Sequence, residues 1–263
     1  MFVSDRFPPP LSGSIAHAAI AATVSFCLAN YAYHYDVLPE SIRHSPWGYF
    51  LAVQLPFGLV LPSALLGVRL RQPGSCPPSV GVWLGTRDVI GALTALAAGG
   101  LMLLLAVGTK SFASENVVRT GTLFAQLLVA STAEVFVFTV LVLGLAREWC
   151  RTLGSWRVPG ALLVSALSFG LFHFTYPPPW ATLGVALGLS VVWVAVNAVF
   201  LITRTVLGAI LFNNCMAMIG FLQNGLTLPL GILPSLAMWF LGLAVSLGLM
   251  IGLSRTSRGV VAA

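Results

Sequence analysis

The sequence predicts an all-α membrane protein of about eight transmembrane helices. Of its 263 residues 58% are hydrophobic and only 8% are charged, where a soluble domain carries about 25% charged residues. Mean hydropathy is +0.95, and the apolar residues fall in runs approaching the roughly 20 residues that cross a bilayer. The basic residues stand singly and in small groups between those runs. The net charge of +6 is therefore topology information, and no nucleic-acid partner is expected.

Each element follows from local chemistry. Pro8-Pro9-Pro10 cannot sit in a helix interior, so helix 1 runs from about Ser14 to Tyr33 as a retained first span rather than a cleaved signal. Its one ionisable residue, His17, reads as structural. Helix 2 (Trp47 to Val68) carries Pro56 and Pro62 and is expected to kink. Helix 3 covers Val89 to Val107. Helix 4 (Gly121 to Ala146) leads through a basic link, Arg147 to Arg157, into helix 5, opened by Pro159 and stopped near Tyr176 by three prolines. Helix 6 (Trp180 to Ile202), helix 7 (after Arg204 to about Leu222) and helix 8 (Leu228 to Leu253) complete the set. Gly184 with Gly188, and Gly248 with Gly252, have the small-xxx-small spacing of close helix packing.

Alternating the loops between two sides gathers ten Lys and Arg residues on one and three on the other. The rich side holds Arg6, Arg69, Arg71, Arg87, Arg147, Arg151, Arg157, Arg204, Arg255 and Arg258; the poor side holds Arg43, Lys110 and Arg119. By the positive-inside rule both termini are expected in the cytosol. Cys27, Cys76, Cys150 and Cys215 share no metal-ligand spacing, so neither disulfides nor a zinc cluster is expected.

Against this apolar background Glu134 stands out as the only acidic residue inside a long apolar run. Inserting such a group costs about 2.5–3.5 kcal/mol, which is why intramembrane acids mark functional sites. His173 closes the next run. Helices 4 and 5 form an antiparallel pair that can bring the two to similar depth, with Asn213 of helix 7 in the same layer. A carboxylate kept from bulk water can serve as general base on a water, and an amide donor can stabilise developing negative charge.

The order of an intramembrane Glu, a basic linker, a helix ending F-x-x-x-H and a later helix with polar residues resembles the CAAX-processing and bacteriocin-processing (CPBP, ABI) intramembrane proteases. In Glu134-Val135-Phe136-Val137-Phe138-Thr139 the first Glu and the Phe of the EExxFR motif are present, with Val135 at the second Glu and Thr139 at the Arg. Phe169 to His173 keeps FxxxH. In the third motif Asn213 takes the His position and Ala217 the second polar position, and Asn214 is a candidate substitute. The surroundings of helix 7 look like the type II CAAX prenyl endopeptidase branch.

The resemblance, which covers about 121–222, implies a CAAX-protease-like core in helices 4–7, flanked by a three-helix region (1–120) and a C-terminal helix with basic tail (223–263). It implies a Glu-dependent endopeptidase acting on a prenylated or other membrane-associated protein. Glu134, His173 and Asn213 would be catalytic, with Asn214, Phe138, Phe169 and Thr139 as support. No cofactor is implied; one histidine in the core is too few for the usual zinc ligand set. The endoplasmic reticulum membrane in a eukaryote, or the plasma membrane in a prokaryote, is the expected location. The lost motif residues keep a second expectation open, an inactive relative that binds a membrane protein or confers bacteriocin immunity.

Overall fold

A computed structural model describes residues 13–69, 86–108, 117–224 and 231–255. The proline tail, the loop with Arg71 and Cys76, the segment with Lys110 and Glu115, residues 228–230 of the expected eighth helix and the end of the basic tail lie outside the described residues. The chain is an all-α, multi-pass integral membrane protein. Its helices are α1 (Gly13–His34), α2 (Phe50–Val60 continued by Leu61–Arg69), α3 (Thr86–Val107), α4 (Val117–Glu134, Val135–Val142 and Leu143–Trp149), α5 (Arg157–Phe172), α6 (Leu183–Thr203), α7 (Val206–Gln223) and α8 (Ile232–Arg255).

Seven stretches are long and apolar enough to cross a membrane, one of them the 57 residues Arg119–Thr175. As one straight helix that stretch would measure roughly 85 Å, more than twice a bilayer's hydrocarbon thickness. It folds back instead. The link Cys150–Trp156 is a tight 3-10 segment in which Gly154 has φ +55, a value glycine adopts without the clash a Cβ brings. The returning α5 packs along the end of α4, and Arg157 Nε donates to the Arg147 carbonyl at 3.4 Å across the link. The hairpin makes eight passes of the seven stretches.

α4 is the central helix. Every residue of its VFVFTVLV stretch, Val135–Val142, is buried, as expected of a helix apolar on all sides. α1, α2, α5, α7 and α8 surround it, α6 covers α5, and α3 lies along α7. Apolar side chains such as Leu28, Leu105, Leu163, Val191, Ile202 and Leu233 point outward, where acyl chains would meet them. The stretch 135–142 and α2's 50–60 are π-helical. In α2 the cause is Pro56, which lacks an amide donor and obstructs the ordinary ladder. In α4 the widened turn begins immediately after Glu134, the kind of place where such bulges recur.

Several expectations shift. α6 starts at Leu183 rather than Trp180, because Thr182 caps it, its Oγ1 accepting from the Val185 amide at 3.3 Å. His17 is exposed on α1's outward face rather than packed. At Gly184, Gly188, Gly248 and Gly252 an added Cβ would meet nothing within 4 Å, so these glycines are not where helices approach. Thr139 belongs to the packing of three helices. Its hydroxyl donates to Asn197 Oδ1 at 2.8 Å, Asn197 Nδ2 donates to Ser165 Oγ at 3.0 Å, and Ser165 donates to the Phe138 carbonyl at 2.7 Å. All three side chains are fully buried, so Asn197→Leu strands two polar groups. We expect it to lower stability by about 1–3 kcal/mol, measurable as an earlier thermal transition in detergent.

Candidate active site

The elements that shape the site meet inside the bundle, near the middle of α4 and α7. Glu134 ends the regular part of α4, His173 follows the last turn of α5, and Asn213 lies in the first half of α7. All three line one cavity of about 550 Å³. Asn213 Nδ2 donates to Glu134 Oε2 at 3.0 Å, tying α7 to α4 at the carboxylate. Asn213 is buried, whereas Glu134 keeps partial exposure, since its carboxylate borders the cavity.

His173 is held from two directions. Its Nδ1 pairs with the Phe169 carbonyl at 3.0 Å; a carbonyl only accepts, so Nδ1 carries the hydrogen and Nε2 the lone pair in the neutral ring. The ring stacks on Tyr176, with centroids 5.3 Å apart and planes at 25°. Phe169 stacks on Trp193 at 3.7 Å and meets Phe138 edge-on at 5.5 Å. Phe169 therefore both borders the cavity and anchors the imidazole, while Phe138 lies in the aromatic layer behind it and is not part of the lining.

Asn214 also falls outside the lining. Its Nδ2 donates to the Phe124 carbonyl at 2.9 Å and its Oδ1 accepts from Ser131 at 3.2 Å, which uses it as a fastening between α7 and α4. Thr139 is likewise absent from the lining. Cys215 is buried against Gly99 of α3 and takes no part in the cavity. Among the described residues no three His, Cys, Asp or Glu side chains converge as a metal site.

The structure adds residues that sequence reasoning passed over. The Tyr49 hydroxyl donates to Asn30 Oδ1 and lies 3.0 Å from the Tyr176 hydroxyl. Asn30 Nδ2 donates to Thr175 Oγ1 at 2.7 Å, and Thr175 donates to the Phe172 carbonyl at 2.6 Å. With the Tyr49 proton committed to Asn30, the Tyr176 proton must serve Tyr49. The chain of bonds thus has one direction and fixes Tyr176 beneath the His173 ring. Tyr176 sits three residues after His173, in extended conformation just past the helix end. Tyr49 and Asn30 carried no signal in the sequence, because an interfacial Tyr and an Asn in an apolar helix have ordinary packing roles. Gln54 of α2, Gln126 and Ser131 of α4 and Ser235 of α8 add polar groups to the lining.

The arrangement is a carboxylate, an imidazole and an amide donor on one chamber, which Tyr49, Gln54 and Ser131 also line among apolar side chains. Such a set can bind a water, accept a proton from it and donate to negative charge. Compared with protein-family models, curated proteins and solved structures, the chain matches none.

Proposed function

We propose that the chain is an intramembrane endopeptidase of the CPBP type, hydrolysing a peptide bond of a prenylated or other membrane-associated protein. The observation that carries this reading is the Asn213–Glu134 bond at 3.0 Å inside a cavity that His173 also lines. In the reaction a water oxygen adds to the scissile carbonyl while Glu134 takes one of its protons. His173 Nε2 accepts the water's second hydrogen bond and orients the lone pair. Asn213 Nδ2 has two hydrogens; one serves Glu134, and the other is left to donate to the oxyanion. Collapse breaks the C–N bond, and the proton held by Glu134 leaves with the amine.

The proposed orientation has both termini in the cytosol, following the ten-to-three division of basic residues, in the endoplasmic reticulum membrane of a eukaryote or the plasma membrane of a prokaryote. The second reading, a binding or immunity protein without turnover, is favoured by one pair of positions. Val135 is fully buried in apolar core and Thr139 is bonded to Asn197, so the charges that resemblance would put there have no room.

The test is a variant series expressed in cells that lack the protein, read by mass spectrometry of new peptide termini in membranes. His173→Ala is expected to remove the termini that wild type generates. Asn213→Ala is expected to slow their appearance on the order of a hundredfold, the cost of one oxyanion donor. Termini that appear equally with all variants would refute the peptidase reading.

A further inference from the structure

The cavity has a direction. Its upper lining comes from the segment between α1 and α2, including Arg43, His44 and Pro46, and from Tyr176, Pro177 and Trp180 between α5 and α6. Gly220 and Phe221 at the end of α7 border it as well. All of these lie at the end of the bundle where α1, α5 and α7 finish. His44, Pro46 and Pro177 are exposed at the rim, and Arg43 is held there by Asp36.

Among the described residues the opposite end is closed. No lining residue comes from the Arg147–Arg157 link, from 61–69 of α2 or from the first turn of α7. Glu134 lies about 20 Å along the helix from Arg147, and Asn213 about 14 Å from Arg204. Between Glu134 and that end every residue of Val135–Val142 is buried, and Phe138, Phe172 and Trp193 fill the space beneath the cavity. The sealed end bears the arginines; the open end belongs to the loops with three basic residues against ten.

We infer that the site is entered from the arginine-poor, extracytosolic face, and that its substrate is a juxtamembrane peptide segment presented on that face. The access half rests on placement and charge; the substrate half rests also on the peptidase reading. A mouth of Arg43, His44, Ser45 and Tyr49 above walls of Leu189, Val192, Met216 and Met238 suits an amphiphilic segment. A prenylated tail attached to the cytosolic leaflet is on the wrong side, separated by the sealed half of a hydrocarbon layer about 30 Å thick.

Single cysteines in a background with Cys27, Cys76, Cys150 and Cys215 replaced by Ser test the access. Ala217→Cys lies in the cavity, Pro46→Cys on its rim and Arg151→Cys at the other end. Sealed vesicles of known sidedness, right-side-out and inverted, are treated with the membrane-impermeant trimethylammonium-ethyl methanethiosulfonate, and adducts are read by intact mass. Expected is modification of Ala217→Cys and Pro46→Cys from the extracytosolic face only, and of Arg151→Cys from the cytosolic face only. Reaction of Ala217→Cys from the cytosolic face, from both faces or from neither overturns the inference. Met216→Cys, on the same wall, replaces Ala217→Cys if that variant does not fold. For the substrate, new termini dependent on Glu134 are expected in extracytosolic juxtamembrane segments, and their appearance in cytosolic tails overturns this half. If wild type and Glu134→Gln give identical termini the peptidase reading and the substrate half fall together, while the labelling result stands on its own.

Discussion

Replacing Glu134 with Gln is expected to lower peptide-bond cleavage by about a hundred- to ten-thousand-fold, the range for losing a positioned general base. The same change is expected to leave the fold in place. Gln has the size of Glu, and its side-chain oxygen still accepts from Asn213 Nδ2, now 3.0 Å from the carboxylate. It also removes an ionisable group from the middle of the bilayer, which favours rather than opposes insertion. The two readouts therefore separate: thermal stability in detergent holds or rises while the wild-type termini disappear from membranes. Glu134→Ala is a poorer probe, because it deletes Asn213's partner and opens extra space in the cavity. Cells carrying Glu134→Gln that behave as wild type, where deletion has an effect, would assign the protein to binding rather than turnover.

Glu134 was legible because an acid in hydrocarbon is rare enough to be informative by itself. His173 was legible through its place at the end of α5, opposite Glu134 across a hairpin whose basic link and Pro159 mark a reversal. The cavity has both, together with Asn213. The supporting residues were harder to sort, and the reason is angular. On a helix, adjacent residues point about 100° apart, so Asn213 and Asn214 meet different neighbours. Nothing in the local sequence says which lines the chamber; α4 decides it by offering Glu134 to one and Ser131 to the other. Thr139 illustrates the same limit. Five residues beyond Glu134, its direction depends on the register of the intervening turn, and here it meets Asn197 and not the cavity. The Tyr49–Asn30–Thr175 chain joins residues far apart in sequence, and only packing reveals such a union.

The glycines separate pattern from packing most sharply, and Gly170→Ala is expected to have a large structural effect at the site. A Cβ at Gly170 would run into the Ser190 hydroxyl oxygen and the Ala186 carbonyl oxygen of α6. The hydroxyl can rotate away at the cost of its 2.9 Å bond to that same carbonyl. The carbonyl cannot move without α6, because it belongs to the helix backbone. Relief therefore requires α5 and α6 to separate, and overpacking of this kind costs about 1–3 kcal/mol. His173 lies three residues farther on, just past the end of α5, and Leu189 and Val192 of α6 wall the cavity, so the displacement reaches the imidazole and the chamber together. Gly184→Ala supplies the control: it occupies the same α6 and matches the small-xxx-small spacing, yet its Cβ meets nothing within 4 Å. In detergent, Gly170→Ala is expected to melt earlier than wild type and to lose cleavage, whereas Gly184→Ala is expected to do neither. Equal melting of the two variants would mean that α5 and α6 do not approach at Gly170, and with that the placement of His173 against the cavity would have to be redrawn.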